Sequence, residues 1–209
     1  MTGEHYFSAS PSSEERLRRI RVDLRGATFE LETAGGVFSP DRLDAGTAVL
    51  LDRVPSPPEA GALLDLGCGW GAIAIALARE SPLAEVWAVD VNERALTLAA
   101  ANARIAGVGV NASHPDDIPD GVRFATIWSN PPIRIGKDAL HALLERWLPR
   151  LEPGGTAWLV VAKQLGGDSL QRWIAERFAA DGLTVRRTAT DRGYRVLAVE
   201  ASGSATTPE

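Results

Sequence analysis

A disulfide takes two cysteines, and this chain has one, Cys68. An internal disulfide and a cysteine-based zinc site are therefore excluded. The three histidines, His5, His114 and His141, are scattered, and no metal is expected. Long apolar runs are missing too. None approaches the roughly 20 residues that span a bilayer, so no membrane association is expected. The N-terminal stretch MTGEHYFSASPSSEER has no apolar segment of the signal-peptide kind, and the expected compartment is cytoplasmic. Positive charge is in deficit, with a formal net charge of -5. That argues against a broad electrostatic grip on nucleic acid, because such binders are usually basic. Lysine is scarce: only Lys137 and Lys163 among 22 basic residues. A site that keeps lysine needs a compact ammonium rather than the planar fork of arginine.

What is present suits one compact domain: 209 residues with 45% apolar content. Residues 1–13 read as a flexible arm. Residues 14–55 read as an N-terminal extension made of a β-hairpin and a helix. RLRRIRVDL and ATFELET alternate apolar and charged residues across Arg25-Gly26, and a helix follows over roughly 44–54. Residues 56–201 alternate strands with helices, which predicts a mostly parallel sheet with helices on both faces. LTVRRTATDRGYRVLAVEA closes the chain as an antiparallel hairpin, and 202–209 reads as a disordered tail. Arginines cluster at 16, 18, 19, 21 and 25, and again at 186, 187, 192 and 195. Such runs suit solvated strand faces; they also suit contacts to RNA phosphates.

DLGCGWG, Asp65 to Gly71, follows an apolar strand and opens an alanine-rich helix. Gly67 permits a sharp turn, Gly69 a close ligand approach, and Gly71 a helix start close to the strand. A dinucleotide fingerprint would place its third glycine one residue later, and Asp65 near the turn would repel a phosphate and favour a cation. Asp90 ends the next strand, where a carboxylate can accept both ribose hydroxyls. An adenosine that carries an ammonium amino acid fits these groups better than a pyrophosphate does. That description is S-adenosylmethionine (AdoMet).

SNPPIRIGK, from Ser129, ends a later strand in back-to-back prolines. Prolines fix φ and contribute no N–H, so the corner is rigid and rich in acceptors. DLGCGWG, AVDVNERAL and SNPPIRIGK, in this order, resemble a class I AdoMet-dependent methyltransferase. GVFSPDRLDAGTAVLL, NPPIRIGK and DRGYRVL further resemble the small-subunit ribosomal RNA guanine-N2 methyltransferase family. The resemblance implies an α/β Rossmann-like fold: a mostly parallel seven-stranded sheet with an antiparallel C-terminal hairpin, plus the small N-terminal β-extension. It implies AdoMet as cofactor, transfer to an exocyclic amino nitrogen, guanine N2 in 16S ribosomal RNA, and the small ribosomal subunit as partner.

The chemistry follows from the residues. An exocyclic amine conjugated to a purine is a poor nucleophile and must pyramidalise to attack a methyl sulfonium. Two acceptors aimed at its two N–H bonds favour that geometry: the Asn130 side-chain carbonyl and the Pro131 backbone carbonyl, locked by Pro131 and Pro132. Many methyltransferases with this corner carry an aromatic at the next position to stack on the target ring. This chain has Ile133, as some relatives of the ribosomal RNA branch do, which weakens the DNA-adenine and glutamine readings.

The resemblance also implies roles for further residues. Phe38, Asp44 and Thr47 belong to a segment that folds over the cofactor, although a core Phe and a capping Asp suit the residues equally. Val91 follows the ribose carboxylate. Asp116 or Asp117 would hold the adenine amino group, with His114 a weaker candidate. Lys137 and Lys163 would meet a phosphate or guanine O6, or lie on the surface. Cys68 would be a small filler lending its backbone N–H, Trp70 would pack within the loop, and His141 would be structural. His5, Tyr6 and Phe7 resemble the start of the family's catalytic domain. The larger family members add a second, degenerate methyltransferase-like domain that helps substrate binding, whereas this chain reads as a single domain. RNA binding would then come from an arginine patch or a dimer partner, or the substrate would differ; a monomer or homodimer is expected. Two rivals stay open: transfer to a protein glutamine or small-molecule amine, and a non-catalytic RNA-binding module on a vestigial fold.

Overall fold

The computed structural model describes residues 17–132 and 136–203. The alternating N-terminal stretch forms β1 (Arg18–Leu24) and β2 (Ala27–Thr33), an antiparallel hairpin turned by Arg25 and Gly26 at φ 48° and 81°. α1 (Ala45–Arg53) follows and is capped by Asp44, which accepts the Gly46 and Thr47 N–H groups. Then come β3 (Ala62–Leu66), α2 (Ala72–Glu80), β4 (Glu85–Val89), α3 (Glu93–Ala106), β5 (Asn111–Ser113), β6 (Phe124–Ser129), α4 (Lys137–Trp147), β7 (Leu151–Ala162), α5 (Gly167–Arg177), β8 (Leu183–Asp191) and β9 (Tyr194–Ala201).

β3 to β9 form one seven-stranded sheet in the order β5-β4-β3-β6-β7-β9-β8. β5, β4, β3, β6 and β7 run parallel, while β9 pairs antiparallel with both β7 and β8. The α/β architecture and the antiparallel C-terminal hairpin are as the motifs implied. One apolar cluster joins the hairpin, α1, α2 and α3 to one face of the sheet; a second joins α4 and α5 to the other. The chain reverses direction across the sheet between β4 and β6, on either side of β3. The crevice beyond the carboxyl ends of those strands is where α/β sheets hold ligands.

Local rules explain the element ends. Asn92 caps α3 by accepting from Arg94 N and Ala95 N, and Gly107, in the left-handed region, stops it. The expected strand over VGVNAS shortens to Asn111–Ser113, because Val108 N donates to Ala103 O in closing the helix end. Pro149 ends α4 through a 3-10 turn, Leu148–Arg150. Ser202, assigned to the tail, is tied to Gly182 O at 3.1 Å.

The arginine clusters are electrically compensated. Arg19 and Arg21 stand opposite Glu32 and Glu30 across the hairpin. Arg18 pairs with Asp41, and Arg25 pairs with Glu80 and donates to Leu51 O and Val54 O. Arg186 pairs with Glu200, Arg187 and Arg195 with Asp168, and Arg192 with Asp52. Arg195 is buried. Arg16 lies outside the described residues. Among the described residues no helix is long and apolar enough to cross a membrane, and no group of three His, Cys, Asp or Glu side chains is arranged to hold a metal ion.

Candidate active site

A cavity of about 830 Å³ opens at the carboxyl ends of β3, β4 and β6. Its wall includes Gly67 and Gly69 from the glycine turn, Asp90 and Val91 after β4, and Asn130, Pro131 and Pro132 after β6. Phe38, Asp44, Asp116, Leu143, Arg146, Trp147, Ala162 and Tyr194 complete much of the rest. The glycine turn and the proline corner therefore face one hollow. A recess of about 30 Å³ runs from it between Thr47, Cys68, Trp70 and Ile73.

Asn130 is held by the chain segment before the sheet. Its Nδ2 donates to Asp44 Oδ2 at 2.7 Å and to Thr47 Oγ1 at 3.1 Å. A carboxylate oxygen only accepts, so the amide nitrogen must face Asp44. Oδ1 is left as the end of the amide without a partner among the described residues. The same Asp44 oxygen accepts Gly46 N at 2.7 Å and Thr47 N at 3.1 Å, so one helix cap also orients the amide. Ser129, just before, anchors the corner by donating to Leu66 O at 2.7 Å.

Asp90 is shaped by the glycine turn. Its Oδ2 accepts Gly69 N and its Oδ1 accepts Asn92 N, each at 3.0 Å. Burial pushes its pKa up, and those N–H bonds pull it back. Even with the backbone N–H groups of Gly69, Val91 and Asn92 on it, the carboxylate retains acceptor capacity for a hydroxyl on the ligand side.

Other expectations meet a different geometry. Asp65 is fully buried and is absent from the cavity wall; its Oδ2 accepts Ala74 N at 2.9 Å, and its Oδ1 has no partner. Burial raises its pKa to about 8, so it carries little charge at neutral pH and braces the start of α2 instead of facing a cation. The Cys68 N–H, read as available to a ligand, donates to Val89 O at 3.0 Å, beside the Gly67 N–H at 2.8 Å. Gly71 serves helix–helix contact more than strand approach: a Cβ there would lie 3.1 Å from Ala99 Cα, and its φ is 93°. Trp70 is buried and donates to Ser39 O at 3.3 Å, tying the loop over the turn.

At the far end of the cavity, Asp116 and not Asp117 reaches the wall. Asp116 Oδ1 accepts from Arg146 at 2.8 Å, and Arg146 also donates to Pro115 O at 2.6 Å. His114 lines the wall and accepts Asp116 N through Nδ1 at 3.3 Å. Phe38 and Val91 are exposed on the cavity and absent from the core, at 43% and 38%. Lys137 opens α4 and Lys163 follows Ala162. Both are exposed, and neither lines the wall. His141 stacks on Trp173 at 3.5 Å, away from the cavity. Ile133, His5, Tyr6 and Phe7 lie outside the described residues. Sequence reasoning missed the Asp44–Asn130 bond, Arg146 and the place of Tyr194; only the spacing of DxGT in the helix start hinted at the first.

The residues present suit AdoMet. A cavity bordered by the carboxylates of Asp44, Asp90 and Asp116, with apolar Val91, Leu143 and Pro131 between them, accepts a cationic nucleoside.

Comparison with known proteins agrees with this geometry. A family model described as "Methyltransferase small domain" matches residues 28–198. The Bacillus subtilis (strain 168) protein YbxB, itself uncharacterized, is 35% identical over 198 residues, 93% of this chain and 96% of its own length. Ribosomal RNA small subunit methyltransferase C of Shewanella amazonensis is 33% identical over 163 residues, 75% of this chain and 47% of that protein. Among solved structures, a T. thermophilus 16S rRNA N2 methyltransferase, RsmC, in complex with AdoMet and guanosine superposes with a TM-score of 0.75 at 25% identity. That match covers 88% of this chain and 50% of RsmC. The chain thus spans about half the length of the ribosomal RNA methyltransferases that it matches.

Proposed function

The chain belongs to the methyltransferase small domain family and is an AdoMet-dependent methyltransferase; we propose that its acceptor is an exocyclic amino nitrogen, guanine N2 in 16S ribosomal RNA of the small subunit. One observation carries this reading. Asp44 and Thr47 hold the Asn130 amide nitrogen, which commits Oδ1 to accepting, inside the cavity that Asp90 and Gly69 also border.

Bound AdoMet supplies an electrophilic methyl group on a sulfonium. The protein's part is binding and positioning. Asp90 would take the ribose hydroxyls, Val91 and Leu143 would border the adenine, and Asp116, fixed by Arg146, would accept from its amino group. Asn130 Oδ1 and the Pro131 carbonyl accept the two N–H bonds of the acceptor and turn its lone pair toward the methyl. The methylated nitrogen would be cationic and its proton acidic, so no residue of the chain would have to act as a strong base. Positioning of this kind lowers barriers by up to ~7–11 kcal/mol when geometry is ideal. A target base inside folded RNA must be splayed out to enter. Lys137 and Lys163 stand ready for its flanking phosphates. A ribosomal substrate places the enzyme in the cytoplasm.

A second reading has an observation of its own. The arginine clusters are compensated by carboxylates, and a protein glutamine or small-molecule amine needs no cationic surface. Tritiated-methyl transfer to 30S subunits, with RNA and protein fractions counted separately, decides between them. Label in the RNA, mapped to guanine N2, is the expected result. Label in protein, or in small amines alone, overturns the RNA reading.

A further inference from the structure

Besides the His114 imidazole, the aromatic side chains that line the large cavity among the described residues are Phe38, Trp147 and Tyr194. Phe38 stands over the glycine turn, with its Cβ 4.0 Å from where a Cβ on Gly69 would lie. Trp147 ends α4, on the helix whose Arg146 holds Asp116. Tyr194 packs at the same point of α1 as the proline corner's Asn130. A Cβ on Gly46 would lie 2.9 Å from Tyr194 Cε1 and 3.3 Å from Asn130 Nδ2. The phenol ring and the amide therefore abut the same point of α1, side by side.

The backbone holds that ring in place. Tyr194 begins β9 and pairs with Ala162 at the end of β7. The β8–β9 turn places Arg192 and Gly193 at φ 48° and 81°, and Lys163 N donates to Gly193 O at 2.8 Å, clamping the turn to β7. Tyr194 is half-buried, and its hydroxyl has no partner among the described residues. Burial and the nearby Asp44 raise its pKa, so the phenol stays neutral.

Two acceptor oxygens fix the amino group of a base but not the plane of its ring. A flat surface beside them does that, because every base presents a π-face. The motif itself carries Ile133 at the position after its prolines, and isoleucine is not flat.

We propose that the Tyr194 ring is the surface on which the target purine stacks, making Tyr194 a substrate-binding residue that selects a planar acceptor. This rests on the nucleobase reading given above. The tests are steady-state methylation of 30S subunits and calorimetric titration with AdoMet, using wild type, Tyr194→Leu and Tyr194→Phe. Stacking on an aromatic is worth roughly 10- to 100-fold in binding. Tyr194→Leu should therefore raise KM for 30S subunits by about that factor, with AdoMet affinity and Tm close to wild type. Tyr194→Phe, which keeps the ring, should recover most of the loss. Three results overturn the proposal: Leu as effective as Tyr, Phe as damaging as Leu, or a parallel loss of AdoMet affinity. A wild type that binds AdoMet yet labels no ribosomal RNA refutes the nucleobase reading itself, whereas labelling by wild type with no loss in Tyr194→Leu refutes only the stacking role.

Discussion

The Asn130 amide nitrogen donates to Asp44 Oδ2 at 2.7 Å, across 86 residues of chain. The same oxygen caps α1. Cap and orientation can be separated by side-chain length. Asp44→Ser keeps an oxygen that caps a helix but is too short to reach Asn130. The amide then keeps only the Thr47 Oγ1 bond and loses much of its preorganisation. Asp44→Ser should lower kcat by about 10- to 100-fold, a large share of what one preorganised acceptor supplies, with Tm nearly unchanged. Asp44→Ala should add a stability loss of about 1 kcal/mol from the missing cap. Equal kcat for Asp44→Ser and wild type would show that Asn130 needs no such partner.

Gly46 is the point on which Tyr194, Asp44 and Asn130 converge. An added Cβ would lie 2.9, 3.0 and 3.3 Å from atoms of those three residues. Gly46→Ala should cost about 1–3 kcal/mol through overpacking, despite the better helix propensity of alanine. Chemical denaturation reads the stability, and single-turnover methylation should fall more steeply, because the displaced atoms belong to the site. A stabilised, active Gly46→Ala would contradict this packing.

Asp65 links stability to pH. Its ordinary pKa of 3.8 rises to about 8 in the folded chain through burial. The native state keeps a proton that the unfolded chain releases in that window. The associated stability is full below about pH 4, declines as pH rises, and is lost above about pH 8. Asp65→Asn cannot ionise, yet its side-chain oxygen still accepts the Ala74 N–H. Between pH 5 and pH 8 the Tm of wild type should fall further than that of Asp65→Asn. Cys68, pushed well above its ordinary value by the same burial, stays a thiol throughout. Parallel Tm–pH curves would show that Asp65 is charged in the fold.

Lys137 opens α4 and Lys163 opens the 3-10 turn after β7, and both are exposed. If each meets a phosphate, its replacement by alanine removes one counterion-releasing contact. The slope of log KM for RNA against log salt should flatten by about 0.7–0.9 per lysine. Activity at low salt should drop roughly tenfold, one charge-assisted contact, with Tm unmoved. Equal losses of activity and of Tm would make both lysines structural.

Much of the architecture was readable because its causes are local. Alternation made the hairpin; Asn92 and Gly107 bounded α3 through their own side chain and backbone; the glycines at 67, 69 and 71 all adopt positive φ. The proline corner and glycine turn share a hollow because both follow parallel strands and all such strands end at one edge. The choice of Asp116 over Asp117 was not readable, because adjacent carboxylates differ only in what a distant Arg146 can reach.

The sequence by itself determined the elements, their order and the chemical types gathered at the sheet edge, because periodicity, caps and turn residues act within a few positions of chain. Only the tertiary structure decided which of those groups are spent and which are free. Packing buried Asp65 under α2, turned the Cys68 N–H into the sheet, neutralised the arginine clusters against carboxylates, and set Tyr194 beside Asn130. Each of those outcomes depends on which surfaces lose water together, and that is settled between residues tens of positions apart.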